Sequence, residues 1–157
     1  MKYDSENLWS DGEDKLTTQQ VFESISDYVD LGGTLYVGTD SMLKNDYCKF
    51  ASVIAIHSNE LKVANYFFKR KTLPAKKYKT LQTKIFEEVD CSIHIANDLS
   101  EYFPNSDIEV HVDVGKTNRS KTKIYVDTIK GWVTGMGYYF KFKPNSWASY
   151  IADWHSK

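Results

Sequence analysis

Four acidic residues stand where the neighbouring sequence is apolar: Asp40, Glu88, Asp113 and Asp153. Asp40 follows the run Leu35-Tyr36-Val37-Gly38-Thr39, and Asp113 sits inside His111-Val112-Asp113-Val114. Glu88 falls on the apolar stripe of a long helical pattern, from which Glu87 is displaced. Asp153 lies between Ile151-Ala152 and Trp154. A carboxylate near a core is costly unless compensated, and several converging on one site repel and raise one another's pKa. A divalent cation resolves both difficulties, and Mg²⁺ and Mn²⁺ prefer carboxylate oxygen. Two such ions roughly 4 Å apart can activate a water and stabilise the leaving oxygen of a phosphodiester. Each acid alone also has a plain structural reading. Asp40 could cap the turn after its strand, and Glu88 could pair with Lys84 on its own helix. Asp113 could sit beside a turn, and Asp153 could be an exposed helix acid. The joint pattern favours a shared site: strand end, long helix, later strand, last helix.

The elements that must position these acids follow from periodicity and caps. Thr17-x-x-Gln20 is a capping-box pattern ahead of a helix over about 18–30, with Val21, Ile25, Tyr28 and Val29 as its stripe and Gly32-Gly33 as its stop. A buried strand over 35–39 delivers Asp40 and Ser41 at its end. Strands over 50–58 and 63–71 follow on short turns, which predicts an antiparallel meander. A long helix covers about 77–102, with Leu81, Ile85, Glu88, Ser92, Ile95 and Leu99 at steps of three and four. A fourth strand over 108–114 alternates Ile108, Val110, Val112 and Val114 with Glu109, His111 and Asp113. A helix over 120–135, a strand over 138–143 and a terminal helix over 147–155, with Ser146 as its cap, complete the order α-βββ-α-β-α-β-α. Three strands followed by helix–strand alternation point to a mixed sheet with helices packed on it.

The chain has 157 residues, one domain by size, with 41% hydrophobic and 26% charged residues. No apolar run is long enough for a membrane span, and the acidic start, Met1 to Asp14, is unlike a secretory signal. Cys48 and Cys91 form no metal-binding spacing and read as reduced thiols of a cytoplasmic protein. Net charge is −1, but residues 1–30 carry eight acids against two bases, a charge of −6, leaving +5 for the rest. Seven bases and no acid occupy 69–84, from Lys69, Arg70 and Lys71 to Lys84, and Lys116, Arg119, Lys121 and Lys123 crowd the segment after Asp113. Such clusters suit an anionic partner such as nucleic acid, or are simply solvated basic surfaces. The loop Gly115 to Thr122 lacks the Gly-x-x-x-x-Gly-Lys-Ser/Thr phosphate loop, which disfavours an NTPase; as a basic loop it suits a phosphodiester backbone. The 69–84 cluster could form a second track, with Tyr78 available for stacking. Trp9 in the acidic leader could clip that segment to the domain or meet a partner.

Several short motifs occur in a fixed order: Val37-Gly38-Thr39-Asp40-Ser41, Val53-Ile54-Ala55-Ile56-His57, Glu88-Val89-x-x-Ser92 with Ala96, and Val110-His111-Val112-Asp113-Val114-Gly115. Gly131-Trp132-Val133, Gly135-x-Gly137-Tyr138, Lys143-Pro144 before Ala148, and Ala152-Asp153 continue the series. In this order the chain, from about Thr17 onward, resembles the ribonuclease H-like proteins, and more closely their YkuK family. The resemblance implies an α/β fold with a mixed five-stranded sheet, a three-strand antiparallel meander plus two parallel strands, flanked by helices. It divides the chain into an acidic leader over 1–16 and a ribonuclease H-like domain over 17–157. It further implies a Mg²⁺- or Mn²⁺-dependent nuclease acting on RNA, DNA or their hybrid. Asp40, Glu88, Asp113 and Asp153 would be the catalytic metal ligands, with Asp40 bridging two ions when substrate is bound. Ser41, Lys116, Arg119, Lys121 and Lys143 would face substrate. Met42 departs from the family, where a polar residue, often Gln, is expected after Asp-Ser, and this bears on substrate contacts near the first strand. His111 could orient a carboxylate or shuttle a proton, or satisfy a core hydrogen bond; His155 could aid product release or contact phosphate. Two other functions compete: a catalytically weak nucleic-acid-binding or assembly module, and a small-molecule phosphoesterase on the same metals.

Overall fold

The computed structural model describes residues 2–3, 8–58, 63–115 and 121–157. Three short strands open the chain: β1 (Lys2–Tyr3), β2 (Trp9–Ser10) and β3 (Lys15–Leu16). Helix α1 (Thr18–Asp30) follows, with both capping-box bonds present: Thr17 Oγ1 accepts from the Gln20 amide at 3.1 Å, and the Thr17 amide donates to Gln20 Oε1 at 2.8 Å. Gly32, at φ 88°, reverses the chain in a conformation that glycine adopts without strain. Strands β4 (Leu35–Leu43), β5 (Tyr47–Ser58) and β6 (Val63–Pro74) then form the expected antiparallel meander. Helix α2 (Leu81–Tyr102), strand β7 (Ile108–His111), helix α3 (Val126–Gly135), strand β8 (Tyr139–Lys141) and helix α4 (Trp147–Ser156) complete the order. Strand β7 lies parallel to both β4 and β8.

The sheet has eight strands in the order β3-β2-β6-β5-β4-β7-β8, with β1 also paired to β6. The five expected strands are all present. The additional three come from the first sixteen residues, where Ser10 pairs with Phe68 and Lys2 with Thr72 along the outer edge of β6. Trp9 anchors this segment: it is 1% exposed, and its indole N–H donates to Thr18 Oγ1 at 3.2 Å.

The pleat assigns the two faces. Val37, Ile54 and Val110 pack beneath α1, α2 and α3 in the main core, with Phe22, Ile25, Val89, Leu99 and Ile129 among their neighbours. Val53, Ala55 and Phe68 face the other way and meet Ile151 and Ala152 of α4. Helix α4 can sit close because Gly38 has no side chain: a Cβ there would lie 2.7 Å from the main chain at Ala148 and Ser149.

Several boundaries differ from the sequence expectation. Strand β4 continues through Asp40 and Ser41 to Leu43, because β5 pairs with it as far as Leu43–Cys48. Strand β7 stops at His111, where its pairing with β4 ends opposite Gly38. Helix α2 begins at Leu81, capped by Thr80, and the preceding residues form a single tight turn, Ala75–Lys77, with Tyr78 packed on Phe50. The α3 region begins with a short 3-10 turn, Lys123–Tyr125, and the expected helix residue Ser120 lies outside the described residues. Ser146 does not cap α4 through its side chain; its hydroxyl is buried without a hydrogen bond among the described residues, while its carbonyl accepts from Ser149 Oγ at 2.6 Å. No described helix is long and apolar enough to cross a membrane. Cys48 and Cys91 are free thiols, both buried.

Candidate functional site

The place where β4 and β7 part company defines the site. Their ladder ends at Gly38 and His111, while β4 runs on for five residues with β5 on its other side. Carboxyl ends of neighbouring parallel strands are where α/β sheets offer a crevice. Asp40 and Ser41 occupy this open stretch, and alternation sends them to opposite faces. Asp40 meets α4, where Ser156 Oγ donates to Asp40 Oδ2 at 2.9 Å. Asp153, on the same turn, is near enough to raise the Asp40 pKa, and its carbonyl accepts from the same Ser156 hydroxyl at 3.2 Å. Ser41 meets α2, where its hydroxyl donates to Glu88 Oε2 at 2.5 Å. Asp113 follows the end of β7, with Lys143 Nζ 3.2 Å from its Oδ1. That ammonium is an ionic neighbour but not an aligned donor, so among the described residues the buried Oδ1 has no hydrogen bond.

Helix α2 is tied to the sheet at the same level by a buried hydroxyl chain. Thr39 Oγ1 lies 2.9 Å from Ser52 Oγ on β5 and 2.8 Å from Ser92 Oγ on α2. Ser92 is one helical turn after Glu88, so this contact fixes how far Glu88 reaches beneath β4.

Burial dominates the electrostatics. Asp40 and Glu88 are 8% and 7% exposed. Desolvation pushes Asp40 up to about 7, helped by Asp153 and Asp113, against the hydrogen bond from Ser156. Desolvation likewise pushes Glu88 up to about 8; the negative charge of Asp40 adds to this, while Ser41 and Lys84 oppose it. Lys84 therefore acts on Glu88 through its charge, and the direct hydrogen bond comes from Ser41. The charge of Asp113 adds to the rise at both Asp40 and Glu88.

Among the described residues, no three His, Cys, Asp or Glu side chains come close enough together to hold one metal ion. The donor chemistry still suits a hard divalent cation. The groups are carboxylates, two of them are buried against their preference for water, and one buried oxygen of Asp113 finds no donor among the described residues.

The auxiliary residues divide. His111 is 1% exposed; its Nδ1 accepts the Ala148 amide at 3.0 Å and its Nε2 faces Glu109 at 3.1 Å. Burial lowers its pKa, consistent with a neutral ring whose Nε2–H donates to Glu109. It thus takes the core-hydrogen-bond alternative and docks α4. His155 stacks on Phe68 at 3.7 Å, with its Nε2 3.0 Å from Tyr66 Oη, so it packs α4 onto β6. Lys143 is beside Asp113, and Lys121 is exposed. Lys116 and Arg119 lie outside the described residues. The 69–84 bases do not form one track. Alternation along β6 turns Lys71 toward Glu87 of α2 at 3.6 Å and Arg70 toward α4, where its Nε donates to the His155 carbonyl at 2.7 Å. Tyr78 is buried, with its hydroxyl donating to Glu87 at 2.8 Å, so its ring is no stacking surface. Ser156 went unmarked in the sequence, because a serine in a helix's last turn carries no anomaly. Ser92 stood on the helical stripe, and that was its signal.

Comparison with known proteins bears on this arrangement. A sequence model of the family described as "Ribonuclease H-like" matches residues 17–157. A protein of Bacillus subtilis (strain 168), "Uncharacterized protein YkuK", is 26% identical over 164 aligned positions, covering 94% of this chain and 94% of that one.

Proposed function

Since the chain belongs to the ribonuclease H-like family and is of the YkuK type, we propose that it is a divalent-metal-dependent nuclease hydrolysing phosphodiester bonds of RNA or DNA. One observation carries the reading. Asp40 and Glu88 are buried at the open edge of β4, where nothing among the described residues fully compensates two negative charges. Asp40, Glu88, Asp113 and Asp153 would hold Mg²⁺ or Mn²⁺, two ions when substrate is present. Bound there, the cations would supply Lewis acidity to activate water and to stabilise the departing 3′ oxygen. The polypeptide's own part is positioning. Ser156 orients Asp40, Ser41 orients Glu88, and Lys143 offsets the charge of Asp113. Lys116, Arg119 and Lys121, in the segment that follows Asp113, are assigned to the phosphate backbone. The test is cleavage of RNA, DNA and RNA–DNA hybrid in Mn²⁺, with Mn²⁺ binding followed by calorimetry. Asp40→Asn and Asp113→Asn should each abolish cleavage and weaken Mn²⁺ binding while leaving the circular dichroism spectrum unchanged. Cleavage retained in both variants would overturn the mechanism.

A second reading, a nucleic-acid-binding module with little turnover, draws on the spacing of the acids, no three of which are close enough to hold one ion among the described residues. Salt-sensitive binding with no product in any metal would favour it.

A further inference from the structure

Helix α4 turns its small and apolar residues, Ala148, Ile151 and Ala152, to the sheet. Its outward face is not the polar surface this leaves room for. Tyr150 and Trp154, four residues apart and so neighbours on one face, are 40% and 65% exposed. Trp147, a turn earlier, is by contrast packed on Tyr36 at 4.6 Å between ring centres. Exposed aromatic rings of this size usually mark a contact surface.

Cations gather at the same end of the helix. Arg70 donates to the carbonyl of His155, and Lys49 Nζ donates to the main-chain oxygen of Lys157 at 3.0 Å. Strand pairing places Arg70 and Ala51 level with Asp40, and Lys49 level with Met42. Lys44 sits on the turn joining β4 to β5, which its amide closes by donating to the Tyr47 carbonyl at 2.8 Å; burial, the charge of Arg70 and the charge of Lys44 lower the Lys49 pKa. Among the described residues neither Lys49 nor Arg70 is ion-paired with an Asp or Glu side chain. Like charges held together without a side-chain carboxylate on either suit a polyanion, and rings on the same helix suit its bases. A duplex keeps its base faces stacked inside; a single strand presents them.

We infer that the outward face of α4, with Tyr150 and Trp154 as stacking platforms and Lys44, Lys49 and Arg70 as phosphate contacts, is a binding surface for single-stranded nucleic acid. The surface adjoins Asp153 and Asp40, so it would feed a strand to the carboxylates. That last step rests on the nuclease reading; the binding itself does not.

The experiment uses the full chain in EDTA, which removes turnover, and fluorescein-labelled oligo(U) and oligo(dT) of twenty residues. Fluorescence anisotropy should show binding to both and much weaker binding to a duplex of the same length. Trp154→Ala should weaken single-strand binding about tenfold or more, while Trp154→Phe stays within about threefold. Lys44→Gln should lower the slope of log affinity against log salt by about 0.7. Sedimentation of Trp154→Ala should match that of the parent protein. Binding unchanged in Trp154→Ala, equal affinity for duplex, or a change confined to self-association would each overturn the inference. Trp154-dependent binding without cleavage in Mn²⁺ keeps this surface and removes the nuclease reading. Cleavage with Trp154-independent binding does the reverse.

Discussion

Burying Asp40 and Glu88 gives the protein a pH response opposite to that of a salt-bridged acid. Their folded pKa values, about 7 and about 8, lie above the ordinary values of 3.8 and 4.5. The folded state therefore binds more protons than the unfolded chain between those limits. The stabilisation is complete below about pH 4 and is lost as pH rises through 7 and 8. One pKa unit corresponds to about 1.4 kcal/mol, so without divalent metal the protein should lose on the order of a few kcal/mol between pH 5 and pH 8. Urea unfolding at both values measures this, and Glu88→Gln should reduce the loss. Ser156→Ala should push Asp40 still higher, because the hydroxyl that donates to its carboxylate holds it down; carboxyl-carbon NMR titration reads that shift. The acids were legible in the sequence because a carboxylate in an apolar stripe is an anomaly that calls for an explanation. Ser156, Thr39 and the orientation of His111 were not, since small hydroxyls and a strand histidine fit many surroundings equally well.

At the scale of elements, the docking of α4 decides whether Asp153 faces Asp40. It depends on the His111 ring accepting the buried Ala148 amide and on the missing side chain at Gly38. His111→Ala should cost about 1–3 kcal/mol by leaving that amide unsatisfied. Gly38→Ala should cost a similar amount, because its Cβ would overlap main chain rather than a pliable side chain. Thermal unfolding would show both losses. Strand and helix identities were legible from periodicity, and α1 from its capping box. The ends of β4 and β7 were not. They are set by which neighbour continues to pair: β5 stays with β4 to Leu43, whereas β4 leaves β7 at His111 and the segment beyond keeps main-chain bonds on the β8 side, Val112 N–H to Lys141 and Lys143 N–H to Val114. That information is held by the assembled sheet and not by either segment's own residues.

Across the whole molecule, the first sixteen residues complete the sheet. Trp9 is buried in the main core, and β1 and β2 cover the outer edge of the long strand β6. Trp9→Ala should cost about 3–5 kcal/mol, measurable by urea unfolding. A chain beginning at Thr17 should unfold at a lower temperature and aggregate through the uncovered β6 edge, which light scattering would follow. The composition marked this segment as acidic, but its pairing partner lies more than fifty residues away and left no local trace. The contact at Gly38 reaches further than its own energy. Helix and strand approach there backbone to backbone, so the distance between Asp40 and Asp153 is set by main-chain thickness and not by any side chain's length. The solvent side of the helix could be rewritten, rings included, with the two acids still in step. A single methyl group at position 38 would put them out of step.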